Sequence, residues 1–362
     1  MRLVKKVLIS GILITGSVTL TSCDPPIPPK VLASLAEQTY TCIEGQSSIS
    51  GAPAMQDTLA GWADYLAYSC IDPEPAMTFI PLAKADAEAK LEATEYSPVC
   101  KPALSVPLAI EASVLVYQES DVSTLNVSPE SLAGILSGEI TNWKQLAKEN
   151  SGTTMPNRKI LIREKTDQVA LEHMIEFLQF NNLKPINNKF KPSVSASLSD
   201  YADLTDGSWL PNLAEGEMAI LPNSLALQLN LYPANIYVGQ DADGFPVLAS
   251  PDVTGISTGA TQWEITEDAK GLTVSLNPKK EPTPPDGSEE APPAYQAIYP
   301  VNLYLCEADS LSRAIARFVL RLDNQGTLAV STFAPLPEFV RIPSLIKVSE
   351  NLPTPAVETP SQ

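Results

Sequence analysis

The chain has 362 residues, 44% of them hydrophobic, with 42 acidic against 24 basic side chains and a formal charge of −18. That acidity disfavours nucleic acid or any other polyanion as a partner, and the apolar share excludes a chain too polar to build a core. The length suits two domains better than one.

The N-terminus, "MRLVKKVLISGILITGSVTLTSC", has a basic start, an apolar stretch and a small-residue exit ending in Cys23. Residues 1–22 read as an export signal. Leu20-Thr21-Ser22-Cys23 resembles the lipobox of bacterial lipoproteins, in which the cysteine thiol is lipidated and the cysteine becomes the mature first residue. A spanning helix wants about 20 apolar residues, whereas this run is shorter and is broken by Gly11 and Gly16. The expectation is a protein acylated at Cys23, in the manner of palmitate-bearing lipoproteins, and held on the extracytoplasmic face of a bacterial membrane. Loss of Arg2, Lys5 and Lys6 with the leader takes the formal charge from −18 to −21. A Pro-rich tether, "DPPIPPK", follows within 23–35.

Four cysteines remain: Cys42, Cys70, Cys100 and Cys306. In an exported chain an even number favours disulfides, with three pairings open and buried free thiols as the alternative. Their wide spacing has no CxxC, which argues against zinc.

In chain order, "SSISGAPAMQDTLAGWADYLAYS" (47–69) reads as a strand end, a glycine turn and a helix whose Leu59, Trp62, Ala63 and Leu66 share one face. "AMTFIPL" (76–82) is a strand, and the good helix formers of "DAEAKLEAT" (86–94) predict a helix. "LSVPLAIEASVLVYQ" (104–118) is long, apolar and β-branched, as a strand crossing a central sheet should be. Ser128, Pro129 and Glu130 open a helix that Gly138 closes. A second helix is expected from Thr141 or Asn142 through "WKQLAKE", then a strand in "KILIR" (159–163) and a helix in "TDQVALEHMIEFLQF" (166–180). "EGEMAILPNSLALQL" (215–229) repeats the strand, turn and helix order, the grammar of an α/β protein. Residues 251–296 are loop-rich, "AIYPVNLYLC" (297–306) is a strand, and "SLSRAIARFVLRL" (310–322) is an amphipathic helix.

Catalytic signatures are absent from the sequence. The single histidine, His173, lies inside an expected helix, and there is no GxSxG, GxGxxG or GxxxxGK motif. Asp241 and Asp243 in "DADG" lack the remaining ligands of a calcium loop and read as a solvated turn. The expectation is a binding protein with no chemical step, no cofactor and no metal.

"GA" at Gly51-Ala52, "WA" at Trp62-Ala63, "LAGILSGEITNWKQLA" (132–147), "LPNLAEGEMAILPNSLALQLNL" and "IYPVNLYLC" carry a family resemblance. From about Ile49 to about Arg341 the chain resembles the phosphate-binding proteins of bacterial phosphate ABC transporters. The resemblance implies a two-lobed α/β fold of the periplasmic-binding-protein type, with two crossover strands and ligand in the interlobe cleft. Lobe 1 is expected from 36–112 plus 299–346. Lobe 2 spans 113–298, with an exposed acidic and Pro-rich loop at 280–294, and 347–362 forms a disordered tail.

Family members bind phosphate through a first-turn hydroxyl, a Gly/Ser loop after the second strand, a proton-accepting carboxylate, and an Arg followed by Ser-Gly-Thr. Carried over, the cleft residues are Ser50, Ala54, Met55, Arg163, Thr166 and Asp167. Ala54 and Met55 stand where the family has a hydroxyl and an aromatic, and "FIPLAKADA" has no Gly/Ser loop. "ATEYSPVCKPAL" offers no matching acid, with Asp86 a distant substitute, and Arg163 is followed by "EKTDQVA". A capping Asp167 would fill the helix donors that a phosphate needs. The departures predict altered or lost phosphate specificity. Two functions follow: a lipid-anchored solute-binding protein with a permease partner and a small polar or anionic ligand, or a surface protein that uses the same scaffold for envelope interaction, adhesion or sensing.

Overall fold

The computed structural model describes residues 42–71, 76–82, 86, 88–163, 165–183, 193–194, 213–285 and 290–352. The expected leader, Cys23, the tether, part of the acidic loop and the last ten residues of the tail lie outside them.

The fold grows from one strand. After β1 (Gly45–Gly51), β2 (Met77–Leu82) and β3 (Leu91–Thr94), the fourteen-residue β4 (Leu104–Tyr117) runs almost wholly buried. Its unbroken apolar run fits a strand covered on both faces. Short strands β5 (Asn126–Val127), β6 (Leu161–Ile162), β7 (Lys165–Thr166) and β8 (Ser193–Val194) precede β9 (Glu217–Pro222). Next come β10 (Tyr232–Pro233), β11 (Asn235–Gln240), β12 (Pro246–Ala249), β13 (Trp263–Asp268), β14 (Gly271–Leu276) and β15 (Ile298–Leu305).

The N-terminal part of β4 lies in a sheet of order β13-β14-β4-β15-β3-β1-β2. There β15 pairs antiparallel to β4 from Leu104 through Ala112. From Ser113 to Tyr117, β4 changes neighbours and pairs with β9, which carries β6, while β10 pairs at Val116 and Tyr117. A small sheet β12-β11-β5 completes the second lobe. The architecture is mixed α/β in two lobes that share β4.

The first lobe is covered by α1 (Gln56–Ser69), α6 (Ser310–Val319), α7 (Leu322–Thr327) and α8 (Glu338–Ser349). The second carries α2 (Pro129–Ser137), α3 (Gln168–Phe180) and α4 (Asn223–Gln228), and α5 (Val253–Ala260) packs on β4 and β15. Caps mark these boundaries as the sequence suggests. Ser128 Oγ accepts from Ser131 N, Pro129 is the first helical residue, and Gly138 ends α2 in the left-handed region. Asn142 and Gln145 form a capping box over the 3-10 turn Trp143–Leu146, a shorter element than the helix expected there. Trp143 is fully buried behind it, edge-on to Tyr117, with its indole N–H donating to Gly216 O at 3.3 Å.

Three expectations change. The helix anticipated over 86–94 ends in strand β3, because all four residues of β3 fill a buried slot between β1 and β15 and sheet pairing overrides helix propensity. Residues 251–296, expected as a loop-rich part of lobe 2, instead contain α5 and the hairpin β13–β14, and β14 pairs with β4 at Ser105 on the first lobe's sheet. Only glycine fits that junction. Gly271 has φ +139°, and a Cβ there would meet Ser105 O at 1.8 Å. Finally, α8 continues to Ser349, so the first residues assigned to the tail are helical.

Of the three open pairings, the disulfides are Cys42–Cys70, tying the approach to β1 to the end of α1, and Cys100–Cys306, tying the loop after β3 to the end of β15. Glu92, 1% exposed, accepts from Val99 N at 2.9 Å and Cys100 N at 3.0 Å, so that loop is fixed from both sides. Cys100 and Cys306 are 206 residues apart. Replacing both with Ser should cost about 2–5 kcal/mol of stability, seen as a lower thermal midpoint. An unchanged midpoint would mean that the β3–β15 pairing holds this end without the crosslink.

Candidate functional site

The two lobes meet where β4 changes partners, and the side chains there are acidic. Glu111, opposite Tyr299 in the β4–β15 ladder, points its carboxylate at the start of α4, where Ser224 Oγ and Ser224 N donate to it, and it also accepts from Ala112 N at 2.7 Å. Glu95 and Tyr96 lie just past β3. Asp167 caps α3, with Oδ1 accepting from Ala170 N at 2.7 Å and Oδ2 accepting from the Tyr96 hydroxyl at 2.6 Å. The Tyr96–Asp167 bond joins lobe 1 to lobe 2. Nearby, Ser113 Oγ donates to Ala170 O at 2.6 Å, the Tyr295 hydroxyl donates to Ser113 O at 2.7 Å, and His173 stacks on Tyr299 at 4.6 Å.

Burial sets the electrostatics. Desolvation lifts Glu95 from its ordinary 4.5 to about 8, and charge on Glu111 and Asp167 adds to the rise, against hydrogen bonds from its own backbone and Tyr96. Desolvation also lifts Glu111 from 4.5 to about 7, opposed by the Ser224 and Ala112 hydrogen bonds. No cation is among the groups acting on either. Three carboxyls that share one buried region cannot all ionise cheaply, so protons remain on some of them. One oxygen of Glu95 and the amide oxygen of Asn223 have no hydrogen-bond partner among the described residues.

Each carried-over residue has a place. Ser50, next to the last residue of β1, is fully buried, with no partner for its hydroxyl among the described residues. Ala54 and Met55 do not offer side chains to a cleft: Met55 is fully buried in the core and Ala54 packs against it, as apolar side chains at a first helical turn must. Arg163 forms an ion pair with Glu217 at 2.9 Å across the β6–β9 pairing, which engages the guanidinium that an anion would need. Thr166 belongs to β7, paired with β8, and its side chain lies outside the description. Asp167 is fully buried in the carboxyl cluster. Asp86, exposed, caps its own turn by accepting from Glu88 N.

Within "ATEYSPVCKPAL", Glu95, directly after β3, joins the carboxyl cluster with Glu111 and Asp167. Nothing in its local spacing separates it from Glu92 three residues earlier, which instead holds backbone N–H groups. The available signal was its place at the C-terminal end of a strand, where α/β proteins bind ligands. That signal was hidden because the stretch before it, 86–94, reads as helix and masks the strand end at Thr94.

Residues 76–179, from β2 to the end of α3, match the PBP superfamily domain. That stretch holds Glu95, Tyr96, Glu111, Asp167 and His173. Among solved structures, the chain is similar to an ABC-type phosphate transport receptor from Vibrio cholerae, with 14% identity over 80% of this chain and 100% of that one, and a TM-score of 0.37. It is similar to a high affinity periplasmic phosphate-binding protein bound with phosphate, with 13% identity over 86% and 100% of the two chains and a TM-score of 0.48. It is also similar to the ancestral soluble variant of the human phosphate binding protein, with 14% identity over 82% and 92% and a TM-score of 0.49. No curated protein matches the chain. Two of these proteins are named as phosphate-binding proteins and one as a phosphate transport receptor. No helix among the described residues is long and apolar enough to cross a membrane.

The raised Glu95 pKa fixes the sign of a pH effect. Below about 4.5 the carboxyl is protonated in both folded and unfolded chains; between about 4.5 and about 8 it is protonated only when folded. The unfolded chain then binds fewer protons, so this group's contribution to stability falls across that window as pH rises. Glu95→Gln should flatten the fall and raise the thermal midpoint at pH 8 relative to the wild type. If the two proteins keep the same pH dependence, Glu95 ionises normally in the fold.

Proposed function

We propose that the protein is an extracytoplasmic binding protein, anchored by lipid on Cys23, whose interlobe cleft takes a small polar ligand other than the phosphate dianion. Asp167 carries this reading. A helix start is where an anion is ordinarily bound, through free N–H groups and the positive end of the helix dipole. Here the protein's own carboxylate occupies that position, and Glu95 and Glu111 stand beside it. A phosphate would have to displace Asp167 and then lie among carboxyls, with the Arg163 guanidinium already engaged by Glu217. Desolvating a dianion without compensating charge is prohibitive. A neutral or cationic polar ligand meets hydrogen-bonding groups instead: the unpartnered oxygen of Glu95, on a carboxyl that keeps its proton to about pH 8, and the accepting amide oxygen of Asn223. The ABC-transporter resemblance supports a permease as partner, and β4 supplies the strand about which two lobes could open.

A second reading, a surface protein with no small ligand, draws support from one observation. Protein-to-protein contacts already span the lobe junction: Tyr96 to Asp167, and His173 on Tyr299. Titration calorimetry on the full chain in detergent separates the readings. Phosphate should give no heat at pH 7, and Arg163→Ala should leave that unchanged. A neutral or cationic metabolite that binds wild type and is lost in Glu95→Ala identifies the solute. Tight phosphate binding would overturn the proposal, while silence across the whole panel would favour the surface role. Asp167→Ala should lower stability by about 1–2 kcal/mol through loss of the cap.

The anchor has its own test. Cells fed an alkynyl fatty acid should label the wild-type protein and leave Cys23→Ser unlabelled and released from the membrane fraction. Label retained in Cys23→Ser would place the lipid elsewhere.

A further inference from the structure

The lobes share β4, so whatever fixes the angle between them must cross the junction beside that strand. Tyr96 is the arm from lobe 1. It is buried, its backbone N–H donates to Thr94 Oγ1 at 3.1 Å, and the loop after it is held by Glu92 and by the Cys100–Cys306 disulfide. Asp167 is the arm from lobe 2, fully buried and fixed to α3 by its cap on Ala170 N. The two arms meet where the Tyr96 hydroxyl donates to Asp167 Oδ2 at 2.6 Å. A hydroxyl on a carboxylate makes a strong hydrogen bond, and its geometry does not survive rotation of one lobe away from the other.

Glu95 precedes Tyr96 and stands at the same junction. The side chains acting on it are Glu111 of β4, Asp167 at the start of α3 and Tyr96, and its own charge reaches Tyr304 of β15. None of these is basic. His173 faces Tyr299 and Glu176 instead. One Glu95 oxygen is buried with no partner among the described residues, so a negative charge there finds neither a donor nor a cation. Burial, reinforced by Glu111 and Asp167, therefore keeps the Glu95 proton in place to about pH 8 while the lobes are together. Separating them takes Asp167 away and admits water. Glu111 is a poorer trigger, because Ser224 and the Ala112 N–H already donate to it and its strand belongs to both lobes.

We propose that the Tyr96–Asp167 bond is a latch that holds the lobes closed, and that a negative charge on Glu95 releases it. The direction follows from the proton count. Once pH passes the ordinary 4.5 of a glutamate, the open form binds fewer protons at Glu95 than the closed form does. Rising pH then favours opening by up to about tenfold per unit, and the gain levels off above about 8. The latch is a property of the lobes themselves and holds whether the cleft takes a small ligand or none.

The test is the interlobe distance measured by pulsed electron paramagnetic resonance from about pH 6 to about pH 9, on either side of the Glu95 transition. Val330 on lobe 1 and Phe245 on lobe 2 are 86% and 67% exposed and accept spin labels as Val330→Cys and Phe245→Cys. The full chain carries Cys23→Ser, and its other four cysteines are in disulfides, so no further thiol takes label. The otherwise wild-type chain should show a short distance at the acid end and a longer one that grows toward pH 8. Glu95→Gln should keep the short distance throughout. Tyr96→Phe removes only the hydroxyl and should raise the open population at the acid end by roughly tenfold or more, as loss of a charge-assisted hydrogen bond does. The double substitution should be open and indifferent to pH. An unchanged circular dichroism spectrum checks that each variant is folded. The proposal is overturned if Tyr96→Phe matches the wild type at every pH, or if the wild type keeps one distance across the range. It is equally overturned if Glu95→Gln opens with pH as the wild type does, which would assign the release to Glu111.

Discussion

Membership of β4 in two sheets is the constraint from which the rest of the structure follows. From Leu104 to Ala112 it is held by β15, and from Ser113 to Tyr117 by β9. A strand buried on both faces through such a change cannot carry a polar side chain without a specific partner. Glu111 and Ser113 stand at that change. Ser224 meets the first, and the second reaches across to α3 through Ala170 O. The geometry that joins the lobes thus also buries a carboxyl and a hydroxyl.

That burial has a chemical consequence. A carboxylate in a dry region is stabilised by a cation, by several N–H donors, or by a proton. Glu92 shows the second solution, with two backbone donors from the Cys100 loop. Asp167 also uses it, through the α3 N-terminus and Tyr96. Glu95 has fewer donors and takes the third, keeping its proton to about pH 8. Buried carboxyls in one fold are therefore accommodated differently, and for Glu95 desolvation outweighs the few hydrogen bonds it receives. Carboxyls gathered in this way disfavour a second negative charge beside them.

The sequence made the fold class legible because its strongest signals were local. The apolar run of β4, the Ser128-Pro129 start and Gly138 end of α2, and the Asp167 cap of α3 each depend on neighbours within a few residues. What was not legible depended on distant partners. The 86–94 stretch has helix-forming residues, and only the slot between β1 and β15 turns its end into β3. The place of β13 and β14 hinges on a single close approach at Gly271 and Ser105. Arg163 resembled an anion clamp until Glu217, from a strand more than fifty residues away, was seen to share its guanidinium. Glu95 was missed for the same reason as β3: a strand end is a three-dimensional fact.

The contrast between core and site says how such a chain diverges. Trp143, Leu132 and the β4 run pack inside, where changing a side chain leaves a cavity or a clash. Substitution there is costly, so the frame persists. The residues that would contact a ligand sit at strand ends and helix starts, where one side chain changes with little repacking. A carboxylate at a helix N-terminus is itself stabilising, so Asp167 supports α3 whatever the cleft binds. For that reason a recognisable scaffold is poor evidence for a conserved ligand, and the identity of the groups facing the cleft carries the functional argument.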